Sequence, residues 1–454
     1  MRIIIVGAGE VGFHIASRLS LENKDVVLIE KNAQALRRVA ENLDVQVIEG
    51  SGSSPAVLEQ AGIEEADILL AVTNSDETNL VASLFANILS PATIKLARIR
   101  SEEYLAHAAT LSEPPYSIDV VINPEAEAVK TIERLLEVPG AVDIGEFAEG
   151  RIKVIGVRLD ADSPVAGSRL IDLRKKTGNK KILVAAINRN EELIIPSGKD
   201  KILEGDVIYF VSEKDDIWDV LKIFGKRAEP IKKVLIVGGG NLGTKLAKAL
   251  ERHSIHTKLI EKDRDRCNKL AETLDKVVVL QGDGSDQQLL AEENVQSMDV
   301  VATLTQDEER NILISLLAKR MGARKTVTRI SKFSYLPLVS AIGLEHVVSS
   351  RLAAVNSILQ YVRRGRVLSV MALKGEEAEV LEAIALETSD IVGKPIRQIP
   401  FPKGVLVVAI IRGDEVIVPT GDSDILPQDR IIIFSTRKAI PQVEKALMVK
   451  LEYF

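Results

Sequence analysis

The sequence predicts an α/β protein in which two doubly wound parallel sheets are each followed by a smaller lobe rich in strands. In each large unit, short apolar runs alternate with helical patterns, and this order is typical of parallel strands joined by crossover helices. The same motifs recur at an offset of about 231 residues, as from Glu30 to Glu261. The 454 residues also exceed the roughly 250–300 that one hydrophobic core organises.

The alternation also predicts the individual elements of the first large unit. Its strands are predicted at residues 2–6, 26–30, 45–48, 67–72 and 93–98, and its clearest helices at residues 10–21 and 76–89. A connecting helix is predicted from Pro124 to about Glu137, because proline fits the first helical turn and Pro139-Gly140 ends the pattern.

The segments after this helix are short, rich in β-branched residues and bounded by turns, which predicts a small mixed or antiparallel sheet. They are residues 152–159, 182–187, 192–195 and 206–212. A charged linker around Pro230 is expected to separate the two halves. The predicted domains are a Rossmann-type lobe (1–123), a crossover helix and linker (124–142), a small lobe (143–228), a second Rossmann-type lobe (232–350), a second crossover helix and linker (351–366) and a second small lobe (367–454).

Composition argues against several classes of function. A formal net charge of −6 without a basic block disfavours nucleic acid as a partner. No run reaches the ~18–20 apolar residues of a membrane span, and no export signal is recognised, so we expect a cytoplasmic protein. The only cysteine, Cys267, has no Cys or His partner at metal-ligand spacing, so no metal site is expected.

Each large unit opens with a glycine-rich turn between a strand and a helix. In the pattern G-x-G-x-x-G, the first glycine permits the tight turn, the second lets the backbone approach a pyrophosphate and the third lets the helix pack closely. The helix N-terminus adds unpaired N–H groups. A glycine turn without a ligand is the alternative, but two copies favour two nucleotide sites. The predicted binding residues are Gly7, Ala8, Gly9, Glu10, Val11 and Gly12, and Gly238, Gly239, Gly240, Asn241, Leu242 and Gly243.

An acidic residue ends the second strand of each unit, about 20 residues after the turn. A carboxylate there, Glu30 or Glu261, accepts hydrogen bonds from ribose hydroxyls and repels a 2′-phosphate. The sequence therefore favours NAD(H) or an adenine nucleotide over NADP.

Polar residues after the fourth and fifth strands are further candidates. Thr73 and Asn74, repeated as Thr305 and Gln306, follow strand four at the edge where such sheets bind ligands, but they could equally cap the next helix. Arg98 and Arg329 end strand five and could pair with a phosphate or simply be solvated. The acids that open the helix after strand four complement its dipole more readily than they bind a metal.

The usual catalytic patterns are missing from the sequence. There is no Tyr-x-x-x-Lys, no Walker-type phosphate loop and no Gly-x-Ser-x-Gly, and the five histidines do not recur at matching positions. We therefore expect a protein that is not an enzyme. An NAD-dependent oxidoreductase with an unrecognised catalytic domain, or an assembly subunit with degenerate sites, stays open.

Taken together, these motifs resemble the TrkA family, the peripheral nucleotide-binding subunits of Trk-type potassium uptake systems, which are tandem RCK (KTN) domains. The resemblance covers essentially the whole chain and rests on the two glycine turns, on Leu58-Glu-Gln-Ala-Gly62 and on both small lobes. It implies NAD or NADH, with ATP or ADP as further ligands, and an α+β RCK C lobe after each Rossmann lobe. It also implies a homo-oligomer, a tetramer or dimer of dimers, that controls potassium flux on the cytoplasmic face of the inner membrane. No pore sequence is present, so transport itself would belong to a membrane partner.

The two halves depart from each other at one predicted contact. The second half has Asp283 after Gly282, where the family pattern implies a contact with the adenosine, but the first half has Ser51. We expect the two sites to differ, with the Asp283 site the more typical NAD(H) pocket. The two connecting helices, at residues 124–137 and 351–364, are expected to act as hinges that touch neither glycine motif, with Leu135 and Ile358 on their buried faces. The alternative is that both are ordinary core helices.

Overall fold

A computed structural model of the protein describes residues 1–177, 182–190, 192–226, 229–344, 346–363, 365–373 and 377–448. The chain divides into two compact units. The first contains residues 1–127 and 350–362, and the second contains residues 128–349 and 363–454. Arg364, at the end of the second predicted hinge, lies outside the described residues.

The first unit is built on a six-stranded parallel sheet with the order β3-β2-β1-β4-β5-β6. This is the Rossmann strand order, in which connections leave β1 toward opposite sides and open a crevice at the carboxyl ends of β1 and β4. The strands are β1 (Arg2–Val6), β2 (Asp25–Glu30), β3 (Gln46–Glu49), β4 (Ile68–Ala71), β5 (Ile94–Arg98) and β6 (Val120–Ile122). The helices between them are α1 (Glu10–Leu21), α2 (Ala33–Asn42), α3 (Pro55–Gln60), α4 (Asp76–Leu89), α5 (Glu102–Leu105) and α6 (Ala108–Leu111).

A second Rossmann sheet lies in the second unit and has the equivalent order, β14-β13-β12-β15-β16-β17. Its strands are β12 (Lys233–Val237), β13 (His256–Glu261), β14 (Val278–Gln281), β15 (Val300–Thr303), β16 (Thr326–Arg329) and β17 (His346–Val348). Its helices are α10 (Asn241–Arg252), α11 (Arg264–Thr273), α12 (Gln287–Glu292), α13 (Glu308–Arg320) and α14 (Leu336–Ala341). The central strands of both sheets are almost fully buried, as is usual where helices cover both faces.

The two small lobes contain antiparallel five-stranded sheets, with the orders β10-β9-β11-β8-β7 and β18-β19-β22-β20-β21. The first lobe contains β7 (Ala141–Phe147), β8 (Ile152–Arg158), α8 (Leu170–Thr177), β9 (Ile182–Arg189), β10 (Glu192–Ile194), β11 (Val207–Glu213) and α9 (Ile217–Ile223). The second contains β18 (Val367–Leu373), β19 (Ala378–Ile384), β20 (Val405–Arg412), β21 (Glu415–Ile417), β22 (Arg430–Thr436) and α16 (Ile440–Leu447).

The small lobes pack on each other through one shared apolar core within the second unit. Phe147 and Val154 of the first lobe and Val380 and Phe434 of the second belong to the same buried cluster. At its edge the backbone N–H of Ala148 donates to Glu382 Oε2 at 3.0 Å. The two lobes therefore form one hydrophobic body.

The connecting helices differ from the expectation in one respect. They are α7 (Pro124–Glu137) and α15 (Ser350–Val362), and both Leu135 and Ile358 are buried as expected. However, α15 packs on α1 of the first Rossmann sheet, and Arg351 pairs with Glu10 at 3.2 Å. The expectation that neither helix touches a glycine motif is thus wrong for α15, because this helix belongs to the unit of the first motif.

The predicted fold class, two doubly wound sheets each followed by a small strand-rich lobe, is confirmed. The strands and helices predicted in the first Rossmann lobe agree with those observed within one residue at each end, and the helix predicted from Pro124 ends at Glu137. No helix in the described part of the chain has both the length and the apolar character needed to cross a bilayer.

Candidate functional site

The glycine turns take the backbone conformation that their sequence requires. Gly7 and Gly238 have φ values of +106° and +109°, a region that other residues rarely adopt. A Cβ at Gly12 or Gly243 would lie 1.9 Å from the carbonyl oxygen of Gly7 or Gly238, respectively. Only glycine therefore allows α1 and α10 to start so close to the preceding strands.

The middle glycine of each turn faces open space instead. A Cβ placed on Gly9 or Gly240 meets no atom of the described residues within 4 Å. These two glycines directly precede α1 and α10, whose first N–H groups have no partner inside the helix. Each turn thus leaves room for an anionic group against a helix end.

The acids that end β2 and β13 hold the glycine turns in place. Glu30 Oε2 accepts the backbone N–H of Ala8 at 2.7 Å, and Glu261 Oε2 accepts that of Gly239 at 2.9 Å. The second oxygen of Glu30 accepts the backbone N–H of Asn32 at 2.8 Å. Both predicted ribose-binding carboxylates therefore lie at the turns, with hydrogen bonds that fix their orientation.

The threonines that follow β4 and β15 are each hydrogen-bonded to an asparagine that recurs in both halves. Thr73 donates its backbone N–H and hydroxyl to Asn79 Oδ1 at 2.9 and 2.8 Å, and the Asn79 amide donates to the carbonyl oxygen of Arg98 at 2.8 Å. Thr305 and Asn311 repeat this arrangement, with the Asn311 amide donating to the carbonyl of Arg329. The asparagines thus tie the ends of neighbouring strands together.

Other residues carry out the capping role that had been open for Thr73 and Asn74. Ser75 Oγ accepts the backbone N–H of Thr78 at the start of α4, and Asp307 Oδ1 accepts that of Arg310 at the start of α13. The acids that follow bind backbone as well, since Asp76 Oδ2 accepts the N–H groups of Arg100 and Ser101, both at 2.8 Å.

Two arginines form hydrogen bonds with Asn74 at the carboxyl ends of the strands of the first sheet. Arg98 Nη1 donates to Asn74 Oδ1 at 3.3 Å, and Arg100 donates to the Asn74 carbonyl oxygen. Burial, followed by repulsion from Arg100, lowers the pKa of Arg98. An anion at this edge would relieve that repulsion. Arg329, the counterpart of Arg98, donates to the carbonyl of Thr305 at 3.3 Å.

The second turn borders a cavity of about 270 Å³ that is lined by half of the binding residues predicted for the second half of the chain. Asp283 accepts hydrogen bonds from the N–H and hydroxyl of Ser285, and its Oδ2 lies 3.3 Å from Lys262 Nζ and 3.1 Å from Arg310 Nη2. The Ser285 hydrogen bonds and these cations lower the pKa of Asp283 to about 2. Arg266, 3.8 Å from Glu261, adds a third cation. The lining residues are Val237, Gly238, Gly240, Ile260, Glu261, Lys262, Arg266, Gly282, Asp283, Gly284, Leu304, Thr305, Gln306, Arg310 and Ile314.

In the part of the first half that the structure describes, Ser51 is not surrounded by an equivalent charge network. Its hydroxyl contacts that of Ser53 at 2.8 Å. The position of Arg310 is occupied by Thr78 and that of Arg266 by Ala35. Instead, cations collect around Glu10, whose carboxylate lies 3.3 Å from Arg38 and 3.2 Å from Arg351.

Sequence reasoning missed several of these residues. Asn79 and Asn311 recur in both halves, and this repetition was a signal that could have identified them as site residues. Lys262, Arg266 and Arg310 flank predicted positions without forming a motif. Arg351 is 341 residues from Glu10, and no local pattern indicates their contact.

Metal chemistry finds little support in the geometry. Within the described ranges no group of three or more His, Cys, Asp or Glu side chains is placed to hold a metal ion. Cys267 is buried, with its sulfur 3.4 Å from the Glu261 carbonyl oxygen. Burial lowers the pKa of His346 well below its usual value.

Comparison with known proteins gives a consistent result for the whole chain. Residues 3–124 and 234–350 match the TrkA-N domain model, and residues 154–225 and 380–448 match the TrkA-C domain model. The Trk system potassium uptake protein TrkA of Halomonas elongata is 38% identical over 458 residues, covering 100% of both chains.

Solved structures show the same fold. The RCK domain of GsuK superimposes with a TM-score of 0.60 at 18% identity, covering 98% of this chain and 94% of that one. The GsuK channel bound to NAD gives a TM-score of 0.60 at 18% identity, covering 98% of this chain and 79% of that chain.

Proposed function

The chain belongs to the TrkA family, and from this membership we propose that it is a nucleotide-sensing regulatory subunit of potassium transport. In this proposal it binds NAD(H), and ATP or ADP as further ligands, at its two glycine turns. It sits on the cytoplasmic face of the membrane as a tetramer or dimer of dimers, against a Trk-type subunit that conducts potassium. It performs no catalysis of its own.

The observation that carries the proposal is the repeated open space at Gly9 and Gly240. Both spaces lie at a helix N-terminus and beside a carboxylate on the neighbouring strand, which is the arrangement that binds a pyrophosphate and a ribose in Rossmann folds. The GsuK channel, which has the same fold, has been solved bound to NAD, and this supports NAD(H) as the ligand. The sites would use the predicted residues Gly7, Ala8, Gly9, Glu10, Val11, Gly12, Glu30, Ser51, Thr73, Asn74 and Arg98, and Gly238, Gly239, Gly240, Asn241, Leu242, Gly243, Glu261, Asp283, Thr305 and Arg329.

Discrimination against NADPH should follow from the orientation of Glu30 and Glu261. Each carboxylate is fixed by backbone N–H groups, so it cannot swing away from a 2′-phosphate, and two like charges a few ångströms apart repel. We expect NADH to bind at least about tenfold more tightly than NADPH, as measured by calorimetric titration. Glu30→Gln and Glu261→Gln should each narrow the difference at one site. Equal affinity of the unchanged protein for both cofactors would contradict this role.

The regulatory role is tested with the membrane partner. The chain should co-purify with the Trk-type subunit of its own host, and potassium flux through the reconstituted pair should change when NADH, NAD, ATP or ADP is added. The Trk-type membrane subunit without this chain should show potassium flux that does not respond to nucleotide. Flux that ignores every nucleotide in the assembled pair would rule out nucleotide sensing.

The oxidoreductase alternative is separated by a simple assay. Absorbance at the nicotinamide band should stay constant when the purified chain is incubated with NADH and candidate carbonyl substrates. Sustained oxidation of NADH would favour an enzyme, whereas the absence of any calorimetric binding would favour a purely structural subunit.

A further inference from the structure

The glycine turn of the first site is in contact with a helix from the second half of the sequence. Glu10 is the first residue of α1, and its carboxylate is shared by Arg38 at 3.3 Å and Arg351 at 3.2 Å. Arg351 is the second residue of α15, which packs along α1. A guanidinium from the second half of the sequence therefore lies at the helix end where the first site would hold phosphates.

Other charges at this edge indicate that it suits an anion. Of the carboxylates nearby, Asp76 accepts two backbone N–H groups through Oδ2, and Glu10 is bound by two arginines. Arg98 and Arg100 converge on Asn74 at the same edge. The pKa of Arg98 is lowered first by burial, and repulsion from Arg100 and Arg351 adds to this effect. Glu125 and Asp76 are the acids that act in the opposite direction and raise the pKa of Arg98. Guanidinium groups that repel one another gain more from a bound phosphate than an isolated one does.

We propose that Arg351 is a phosphate-binding residue of the first nucleotide site, and that phosphates of the nucleotide displace Glu10 as its partner. The inference rests on the proposed nucleotide binding and adds a specific contact to it. A pyrophosphate against the N–H groups of α1 lies close to the Glu10 carboxylate, and the two anions repel. Arg351 can relieve that repulsion by turning its planar fork from the carboxylate to the phosphate, because both offer paired oxygens.

The second site lacks this arrangement. Asn241 stands where the first site has Glu10, so the side chain at the start of α10 is uncharged. The cations near the second turn, Lys262 and Arg310, are instead bound to Asp283. The proposed exchange of partners thus belongs to the first site alone, and it gives that site a preference for phosphates over the nucleoside part of the ligand.

The contact also ties ligand binding to the start of α15. This helix ends at Val362, and the next residue, Arg363, is anchored in the second small lobe through Glu379 at 2.7 Å. A change of partner at Arg351 therefore acts on the helix that leads directly into Arg363. Nucleotide should alter hydrogen exchange of the backbone amides in residues 350–362.

The experiment uses the full chain with Gly240→Val, so that the first site is titrated alone, with ADP and adenosine as probes. Arg351→Gln should weaken ADP binding by about tenfold or more and change adenosine binding less than about twofold, because adenosine carries no phosphate. Glu10→Gln should tighten ADP binding by about threefold or more, because the competing carboxylate is gone. Arg169→Gln, which makes the same change in net charge at an exposed pair with Asp172 in the first small lobe, should change neither affinity.

The opposite signs at Glu10 and Arg351 separate this inference from a merely structural ion pair. If the pair only holds α15 in place, both substitutions weaken ADP and adenosine alike, and the inference is overturned. Unchanged ADP affinity in Arg351→Gln also overturns it, while nucleotide binding itself stands. If the Gly240→Val chain binds no nucleotide although circular dichroism shows it folded, nucleotide binding at the first site fails together with the role of Arg351. In the supported case, ADP changes exchange at residues 350–362 in the Gly240→Val chain but not when Arg351→Gln is added.

Discussion

Replacing Gly9 or Gly240 with valine is expected to remove one bound nucleotide per chain and to leave the fold intact. The Cβ of either valine meets no described atom within 4 Å, so the folded chain tolerates the substitution. The branched side chain fills the space in which a pyrophosphate would approach the backbone. Calorimetric stoichiometry for NADH should fall from about two to about one per chain in each variant, and to zero in the double variant.

The third glycine of each turn provides the matched control. A Cβ at Gly12 or Gly243 would lie 1.9 Å from a backbone carbonyl oxygen that cannot move without opening the turn. Gly12→Val and Gly243→Val should therefore lower the melting temperature as well as binding, whereas Gly9→Val and Gly240→Val should leave it within a few degrees. Full NADH stoichiometry in both single variants at the middle glycines would refute the assignment of the sites.

The single variants also permit the two sites to be compared. The pKa of Asp283 is about 2, so its carboxylate is ionised at neutral pH, and it lies at the edge of the second cavity. It can therefore accept hydrogen bonds from an adenosine, whereas Ser51 of the first half offers only a hydroxyl. We therefore propose that the site remaining in Gly9→Val binds NADH more tightly than the one remaining in Gly240→Val. The reverse order would assign NAD(H) to the first turn.

Most of the architecture could be predicted because it depends on local patterns. Apolar periodicity located the strands of the first Rossmann sheet, and the internal repeat predicted a second unit of the same kind. Strand β7 could not be predicted in this way, since Asp143 and Gly145 interrupt its apolar pattern. The reason for Gly145 is distant in sequence: a Cβ there would lie 2.2 Å from the sulfur of Met371, in the other small lobe.

The residues of the candidate site likewise fall into those that the sequence predicted and those that it did not. The glycines and the strand-end acids follow directly from a motif whose parts are close in sequence, and they lie where the motif places them. The charges that distinguish the two sites come from other parts of the chain, since Arg310 reaches Asp283 from the next helix but one and Arg351 reaches Glu10 from the helix after the second Rossmann lobe. Such pairs depend on tertiary packing, and a single sequence does not show them.

Loss of the buried cation Arg363 is expected to cause the largest loss of stability outside the nucleotide sites. Its guanidinium binds Glu379 in bidentate fashion, at 2.7 and 3.1 Å, and reaches Glu444 at 3.3 Å. The side chains of Arg363 and Glu379 are both 0% exposed. Removing one partner of a buried pair leaves an uncompensated charge, which costs about 3–5 kcal/mol. Arg363→Met should therefore lower the free energy of opening of the second small lobe by about that amount.

The first small lobe supplies the control, because Glu137 there occupies the position that corresponds to Arg363 and carries the opposite charge. Glu137 at the end of α7 pairs with Lys153 on β8 at 2.7 Å, and Lys153 also binds Glu146 at 2.8 Å. Glu137 is 59% exposed and Glu146 is 30% exposed, so water can solvate both carboxylates once the lysine is gone. Lys153→Met should cost only about 1 kcal/mol, in the range of exposed ion pairs.

Native-state hydrogen exchange measures both effects in the intact chain, since it reports the protection of individual backbone amides in each lobe. Amides of β19 and β22 should lose protection in Arg363→Met, and those of β8 and β11 should lose much less in Lys153→Met. Adding Glu379→Leu to Arg363→Met should recover part of the loss, because a buried pair replaced by apolar side chains is often no less stable than the original. Equal losses in the two lobes, or no recovery in the double variant, would show that Arg363 stabilises the lobe by packing and not by neutralising Glu379.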